Sequence, residues 1–362
     1  MLLGLGSCAL ECQPVAVQAQ MIDPAPPPLV QRMLQFPRDL GSHPDAALEW
    51  WYITGAVQAS QRQLGFQLTF FRSRVPATQG MKSRFAARQL IFAHTALTDV
   101  RGQRLWHDQR IARSAGERQV DLAHASDTDT AIHLREWTLV RQNGRYLAQA
   151  RANHFSLNLT LTETQPLLLQ GDQGWSRKGP LPSQASFYYS KPQLQVSGTV
   201  GLGQERLSVQ GRAWLDHEWS NAFMPPLAVG WDWIGMNLQD GSALTAFQLR
   251  DAKGQAVWAG GSWREAPGPA SAQAFGPEQI VFKPRRHWKS PATAAVYPVE
   301  WDLAVGSKHF VVRAVLDAQE LDSSRSTGAV YWEGLSDLLD ASGQLLGRGY
   351  LELTGYAKPL QL

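Results

Sequence analysis

Phe155-Ser156-Leu157-Asn158-Leu159-Thr160-Leu161-Thr162 alternates apolar and polar residues without a break. A period of two puts every second side chain on one face of an extended chain, so this segment is a half-buried β-strand. Leu64, Phe66, Leu68 and Phe70 repeat the pattern with polar Gln67 and Thr69 between them. The run from Phe310 to Leu316 is a further strand, apolar on both faces. Turns such as Gln142-Asn143-Gly144 and Gln239-Asp240-Gly241 separate these segments and fit antiparallel hairpins. Helical periodicity is nearly absent; the best stretch, Gly334 to Asp340, offers two turns at most. The chain reads as all-β.

At 362 residues the chain is long enough for two domains. Each half holds enough strand candidates to close an up-and-down barrel of about eight strands around one small ligand. The expected division is a signal-peptide-like leader over 1–20, a Pro-rich linker over 21–35, one barrel over 36–200 and a second over 201–362. The linker is marked by Pro24 and Pro26-Pro27-Pro28, and the divide by Lys191-Pro192 and the glycines at 198, 201 and 203. The leader is apolar from Met1 to Leu10 and ends in the small-residue pattern Val17-Gln18-Ala19, which predicts export. Localisation is therefore expected to be periplasmic or secreted. The two cysteines, Cys8 and Cys12, both lie in the leader. A processed chain would thus have no disulfide, and Cys8 as a lipid anchor would be its only tie to a membrane.

Composition excludes more than it identifies. A net charge of +3 with scattered basic residues offers no nucleic-acid stripe. There is no Gly-x-Ser-x-Gly elbow, phosphate loop or His-Glu-x-x-His, and the dispersed histidines predict neither metal nor cofactor. The 14 tryptophans are the anomaly, and they suit an apolar ligand cavity or a broad interface.

The richest segment is Trp214-Leu215-Asp216-His217-Glu218-Trp219. On an unbroken strand from Leu207, His217 and Trp219 share the face of Leu207, Val209, Ala213 and Leu215, while Asp216 and Glu218 take the other. His217 and Trp219 are then expected to line a cavity in the second half. A bulge at Gly211 would exchange the faces. The catalytic candidates are His217, Asp216, Glu218 and Asp232, since an imidazole beside a carboxylate can move protons near neutral pH. The competing reading makes His217 a core residue and Asp232, on the apolar side of Gly230-Trp231-Asp232-Trp233, a hydrogen-bonded structural acid. Glu49-Trp50-Trp51-Tyr52 also sets an acid among aromatics, and Glu352 shares a face with Tyr350, Thr354 and Tyr356. The ligand-binding candidates are Trp219, Trp231, Trp233, Phe247, Glu49, Trp50, Trp51, Tyr52, His94 and Tyr188.

With those residues in view, the chain resembles the family that joins bacterial carotenoid 1,2-hydratases to AttH-like "secreted hydrolases". The matching text is His43-Pro44-Asp45, Glu49 to Gly55, Ala93 to Leu97, Leu169 to Asp172 and Tyr188-Tyr189-Ser190. It continues through Ala213 to Trp219, Gly230 to Trp233, Tyr331 to Gly334 and Gly349 to Tyr356. The resemblance implies two tandem lipocalin-like barrels. It also implies a pocket in which relatives hydrate alkenes without a cofactor or catalyse intramolecular cycloaddition. The hydratases' His-x-Trp pair is matched by His217 and Trp219. Their Tyr-x-Asp pair falls on Phe247 and Leu249, which supply no acid, so hydration of acyclic carotenoids is expected to be weak or absent. Association of AttH-like relatives with exporters implies an ABC transporter component as a partner. Three readings stand: a carrier of an apolar small molecule, a cofactor-independent hydratase or isomerase using His217 and a neighbouring acid, and a structural module.

Overall fold

The computed structural model describes residues 27–360 apart from 84, 117–120, 223 and 267–271. The leader with Cys8 and Cys12, and the first part of the linker through Pro26, lie outside the described residues. Among the described residues every long element is a strand, and the helical elements are single 3-10 turns such as Arg38–Leu40. The weak helical signal at Gly334 to Asp340 belongs instead to the strand Ala329–Leu339. Its pairing with Leu345–Leu353 satisfies the backbone that a two-turn helix would leave largely unpaired.

The strands form two antiparallel sheets. The first runs, in spatial order, Arg104–Ser114, Gln89–Asp99, Arg62–Arg74, Leu48–Ala59, Glu205–Ser220, Ala185–Leu202 and Phe155–Thr162, then outward through four shorter strands to Ala123–Ala125. Its two ends approach each other, so the sheet curls almost into a barrel. The second runs Gln273–Phe275, Ala256–Arg264, Ala243–Arg250, Gly230–Leu238, Leu345–Leu353, Ala329–Leu339, Lys308–Ala314, Val296–Val305 and Ile280–Lys289.

The chain changes sheet between Ser220 and Gly230, later than the divide expected at 200/201. Strand Glu205–Ser220, placed by the sequence in the second half, lies between Leu48–Ala59 and Ala185–Leu202 in the first sheet. A hairpin around Gly203 joins it to its predecessor, and an N-terminal strand closes its other edge; that second pairing is too remote to read from local pattern. The linker also differs from expectation. Leu29 and Leu34 pack against the first core, and Asn221 Nδ2 donates to the Pro27 carbonyl at 2.6 Å.

Each sheet buries one face in its own core. A third apolar cluster joins the outer faces: Tyr52 and Trp214 from the first sheet meet Trp233, Phe247, Leu335 and Tyr350 from the second. The sheets approach closely at Gly65, where an added Cβ would stand 2.7 Å from the Tyr350 hydroxyl and 2.9 Å from Leu335 Cβ. Direct hydrogen bonds cross the seam from Thr98 Oγ1 to Gln319 Oε1 (2.7 Å) and between His94 Nδ1 and Tyr331 OH (2.9 Å).

Candidate functional site

Alternation divides the informative segments between two environments. The register from Leu48↔Ser220 to Gln58↔Gln210 is continuous, with no bulge at Gly211. His217 and Trp219 therefore keep the face of Val209, Ala213 and Leu215, as the parity predicts. That face is the packed core of the first sheet, not a cavity of the second. Asp216 and Glu218 point the other way, and there the cavity lies.

The cavity encloses about 460 Å³ between the two sheets. Trp50 and Tyr52, Asp216 and Glu218, and His94 come from the first sheet; Trp231, Trp233, Phe247, Glu333 and Glu352 come from the second. Phe71, Leu90, Phe92 and Ile111 line the side toward the edge of the first sheet, where Ile111 is 40% exposed. The cavity thus has an aliphatic and aromatic mouth and an acidic floor.

The floor is built from hydrogen bonds. Asp216 accepts from Tyr188 OH (2.6 Å), Ser190 Oγ (2.5 Å) and Trp214 Nε1 (2.6 Å). Burial outweighs these donors and pushes its pKa up to about 7. Tyr188 OH also accepts from Trp233 Nε1 at 3.1 Å, which ties the two sheets through Asp216. Glu218 pairs with Lys178 Nζ at 2.8 Å and accepts from Ser186 Oγ; burial still raises its pKa. Glu352 is pushed up to about 7 by burial, with the charges of Asp216 and Glu218 adding to the shift. Glu333 is raised further, by burial and then by Glu352, although the hydroxyls of Tyr52 and Tyr331 lie near enough to hold it back. Its Oε1 and the Tyr52 hydroxyl are buried and make no hydrogen bond of ordinary geometry.

The sequence candidates separate accordingly. Trp50, Tyr52, His94, Trp231, Trp233 and Phe247 line the cavity with Asp216 and Glu218, and Tyr188 braces its floor. Leu249, expected in place of a family aspartate, is on the wall beside Phe247. His94 bonds Tyr331 OH and Ser326 Oγ, and burial lowers its pKa to about 3, so it is neutral. Asp232 lies elsewhere, fully buried on Gln248 Nε2 (2.7 Å), Arg250 and Tyr356 OH (2.9 Å), which supports its structural reading. Local pattern does not mark Glu333, Tyr331 or Lys178 as site residues, and it places Glu352 only on a face shared with Tyr350, Thr354 and Tyr356. The periodic signal for Glu333 and Glu352 existed, since each alternates with core leucines or tryptophan, but nothing local shows that they meet.

Glu49, Trp51, His217 and Trp219 form a separate network inside the first sheet. Glu49 Oε1 lies 2.7 Å from His43 Nδ1 and 2.8 Å from His217 Nε2, and Arg72 Nε is 2.8 Å from Oε2. Tyr189 OH takes the other His217 nitrogen at 2.8 Å, His43 stacks on Trp219 at 3.6 Å, and Trp51 stacks on His217 at 4.6 Å. Burial opposes ionisation of Glu49, but Arg72 and His43 outweigh it and hold the carboxyl well below its usual range. Burial lowers His217 to about 4. Ligand atoms of His43, Glu49 and His217 lie within 4.8 Å of one another, the spacing of a metal site. Each is already spent on its neighbours, and a dication would sit beside the Arg72 guanidinium, so the residues fit a hydrogen-bonded lock better than a metal centre.

The fold is a nearly all-β pair of antiparallel sheets, the first curled almost into a barrel, that face each other across an acid-floored aromatic cavity. The chain belongs to the AttH-like family, whose model matches residues 27–356. It is similar to the crystal structure of an AttH protein from Nitrosomonas europaea, with 45% identity and a TM-score of 0.84, over 91% of this chain and 99% of that one. Kievitone hydratase from Nectria haematococca shares the fold at 13% identity and a TM-score of 0.69, over 90% of this chain and 94% of that one. No curated protein matches the chain in sequence.

Proposed function

We propose that the chain binds an apolar or amphiphilic small molecule between its two sheets and exchanges protons with it through the carboxyls of the cavity floor. The observation that carries this reading is Glu333, a carboxyl buried at an aromatic cavity with phenol hydroxyls beside it, no hydrogen bond of ordinary geometry to Oε1 and no counter-charge among the described residues. Burying a carboxyl without its hydrogen bonds is costly, and a packed interface would replace it with an apolar residue. A carboxyl that keeps its proton at neutral pH is a general acid, and one near pKa 7, such as Asp216, can act as acid or base. The chemistry this supports is a cofactor-independent hydration, dehydration or isomerisation, with no covalent nucleophile. The acid comes from Glu333, Glu352 and Asp216 rather than from His217 or the Phe247–Leu249 wall.

Mass spectrometry of small molecules retained by the purified chain, followed by turnover assays on what is found, tests the reading. Glu333→Gln and Asp216→Asn should bind the retained compound and lose turnover by about 100-fold or more. An empty cavity that takes up no apolar probe would overturn the binding reading, and undiminished turnover in both variants would overturn the catalytic one. Export is proposed from the leader, and service as an accessory to an ABC transporter from the family resemblance; fractionation of the native host and co-purification with an exporter test them. Acyclic carotenoids are proposed to be poor substrates, which chromatography after incubation with lycopene decides.

A further inference from the structure

The charge inventory of the cavity is lopsided. Among the described residues its lining holds four carboxyls, Asp216, Glu218, Glu333 and Glu352, against one ammonium, Lys178, which is engaged with Glu218 at 2.8 Å. Arg74 stands apart at the mouth, on the strand that carries Phe71 and Ser73. The other titratable neighbours are neutral: His94 is held unprotonated, and burial raises the phenols of Tyr52, Tyr188, Tyr331 and Tyr350 well above their usual range. Glu333 Oε1 and Tyr52 OH are buried beside each other without a hydrogen bond of ordinary geometry, and among the described residues no cation pairs with Glu333 or Glu352. Around them stand the rings of Tyr52, Trp233 and Tyr331, whose faces attract cations. Lys178 already uses this environment, its Nζ lying 4.1 Å from the Phe247 ring centroid and 4.8 Å from that of Tyr188.

We infer that the ligand of this cavity carries a cationic nitrogen at its buried end, an amine or quaternary ammonium group, with a hydrocarbon body lying toward Phe71, Leu90 and Phe92. The inference rests on the reading that the cavity binds a small molecule, and it deepens that reading by naming the ligand's head group. Beside a neutral hydrocarbon Glu333 stays protonated, and any charge on Glu352 has no partner. A cationic head lets a floor carboxyl ionise and supplies its counter-charge, and an amine N–H adds a donor in better geometry than the phenols give Glu333 Oε1. The polarity gradient sets the orientation. The apolar mouth receives the chain, and the floor, where Glu352 stands near Asp216 and Glu218, receives the charge. Arg74 at the mouth disfavours the reverse orientation.

The test compares three probes of one length on the full chain: octyltrimethylammonium, 1-octanol and octanoate, by calorimetry at pH 8 and pH 5. The ammonium is expected to bind at least about ten-fold tighter than octanol at pH 8, with octanoate weakest. Its advantage should shrink at pH 5, where the floor carboxyls hold their protons. Glu333→Gln should lower the ammonium-to-octanol ratio at pH 8; if it fails to fold, Glu352→Gln serves, and the three-probe comparison needs no variant. Octanol or octanoate binding as tightly as the ammonium at pH 8 would overturn the cationic head group while leaving a ligand cavity in place. If no probe binds, both this inference and the cavity reading fall.

Discussion

Glu333 and Glu352 stand directly opposite each other on neighbouring antiparallel strands, Ala329–Leu339 and Leu345–Leu353, with both side chains on the cavity face. Like charges in that relation repel at short range, so the two do not ionise independently. Ionising one raises the cost of ionising the other, which adds to the burial that already raises both above the usual carboxyl range. The arrangement persists against its own cost because the seam holds it from both sides: Tyr331 on His94, and Tyr350 against Gly65.

The floor should leave a signature in the pH dependence of stability. Folding raises Asp216 from an ordinary 3.8 to about 7 and Glu352 from 4.5 to about 7. Between the unfolded and folded values the native state holds the proton that the unfolded chain has released, so stability falls as pH rises through that window. His217 slopes the other way, since its pKa drops from 6.5 to about 4 and its contribution grows as pH rises between them. The difference between variant and parent isolates the acids. From pH 5 to pH 8, Asp216→Asn and Glu352→Gln should each gain stability relative to the parent, on the order of 2–3 kcal/mol. Urea titrations at several pH values measure the gap; parallel curves would mean that these carboxyls ionise normally.

His217→Ala and Trp219→Ala should act on stability rather than on ligand binding. Removing the imidazole takes one partner from the buried Glu49 and one from Tyr189 OH, and removing the indole exposes the face on which His43 stacks. Losses of about 2–5 kcal/mol are expected for each. Where either variant remains folded, its affinity for an apolar probe should match the parent's. A stable variant with lost binding would place the site inside the first sheet instead.

Much of this was legible in the sequence. Alternation around Phe155–Thr162 and Leu64–Phe70 identified strands, and parity from Leu207 to Trp219 assigned the faces correctly. What parity cannot supply is the identity of the element on each side. The side of His217 is covered by the same sheet's core, and the side of Asp216 by a sheet that begins at Gly230. Parity puts Asp216 and Glu218 on the opposite face but does not say that a second sheet covers it, because a strand pattern carries no information on sheet-to-sheet packing. Glu333 escaped for a related reason: its partners Tyr52 and Glu352 lie on another sheet and another strand, and only the assembled seam unites them.

Lys178 and Glu218 should behave as a coupled pair. Lys178→Met leaves a buried carboxylate beside Asp216, and a cost of about 3–5 kcal/mol at pH 8 is expected, easing as pH falls and Glu218 takes up a proton. Adding Glu218→Gln should recover most of the loss, since a neutral pair no longer requires the ammonium. A double-mutant cycle at two pH values checks this, and simple additivity would show that the ion pair is idle.

The sheets meet tightly at Gly65, and a change of size there should alter the cavity between them. A Cβ there meets the Tyr350 hydroxyl and Leu335 Cβ, both on the opposite sheet, at distances no ordinary contact allows. Gly65 lies in the middle of strand Arg62–Arg74, paired with Ala56 and Thr98, so its own strand is anchored on both edges and yields little. Strain from a side chain therefore goes into the seam. Tyr350 is the neighbour of Glu352 by parity on one strand, and displacing it should move the acid that the floor relies on. Gly65→Ala should cost about 1–3 kcal/mol and Gly65→Val more, as overpacking of a tight contact does. Both should weaken binding of a cavity probe in the same order, while the hydrogen-exchange protection of the first sheet's core around Phe155–Thr162 stays near the parent's. A valine variant with parental stability and binding would mean that the sheets slide freely here, and that the cavity is not set by this contact.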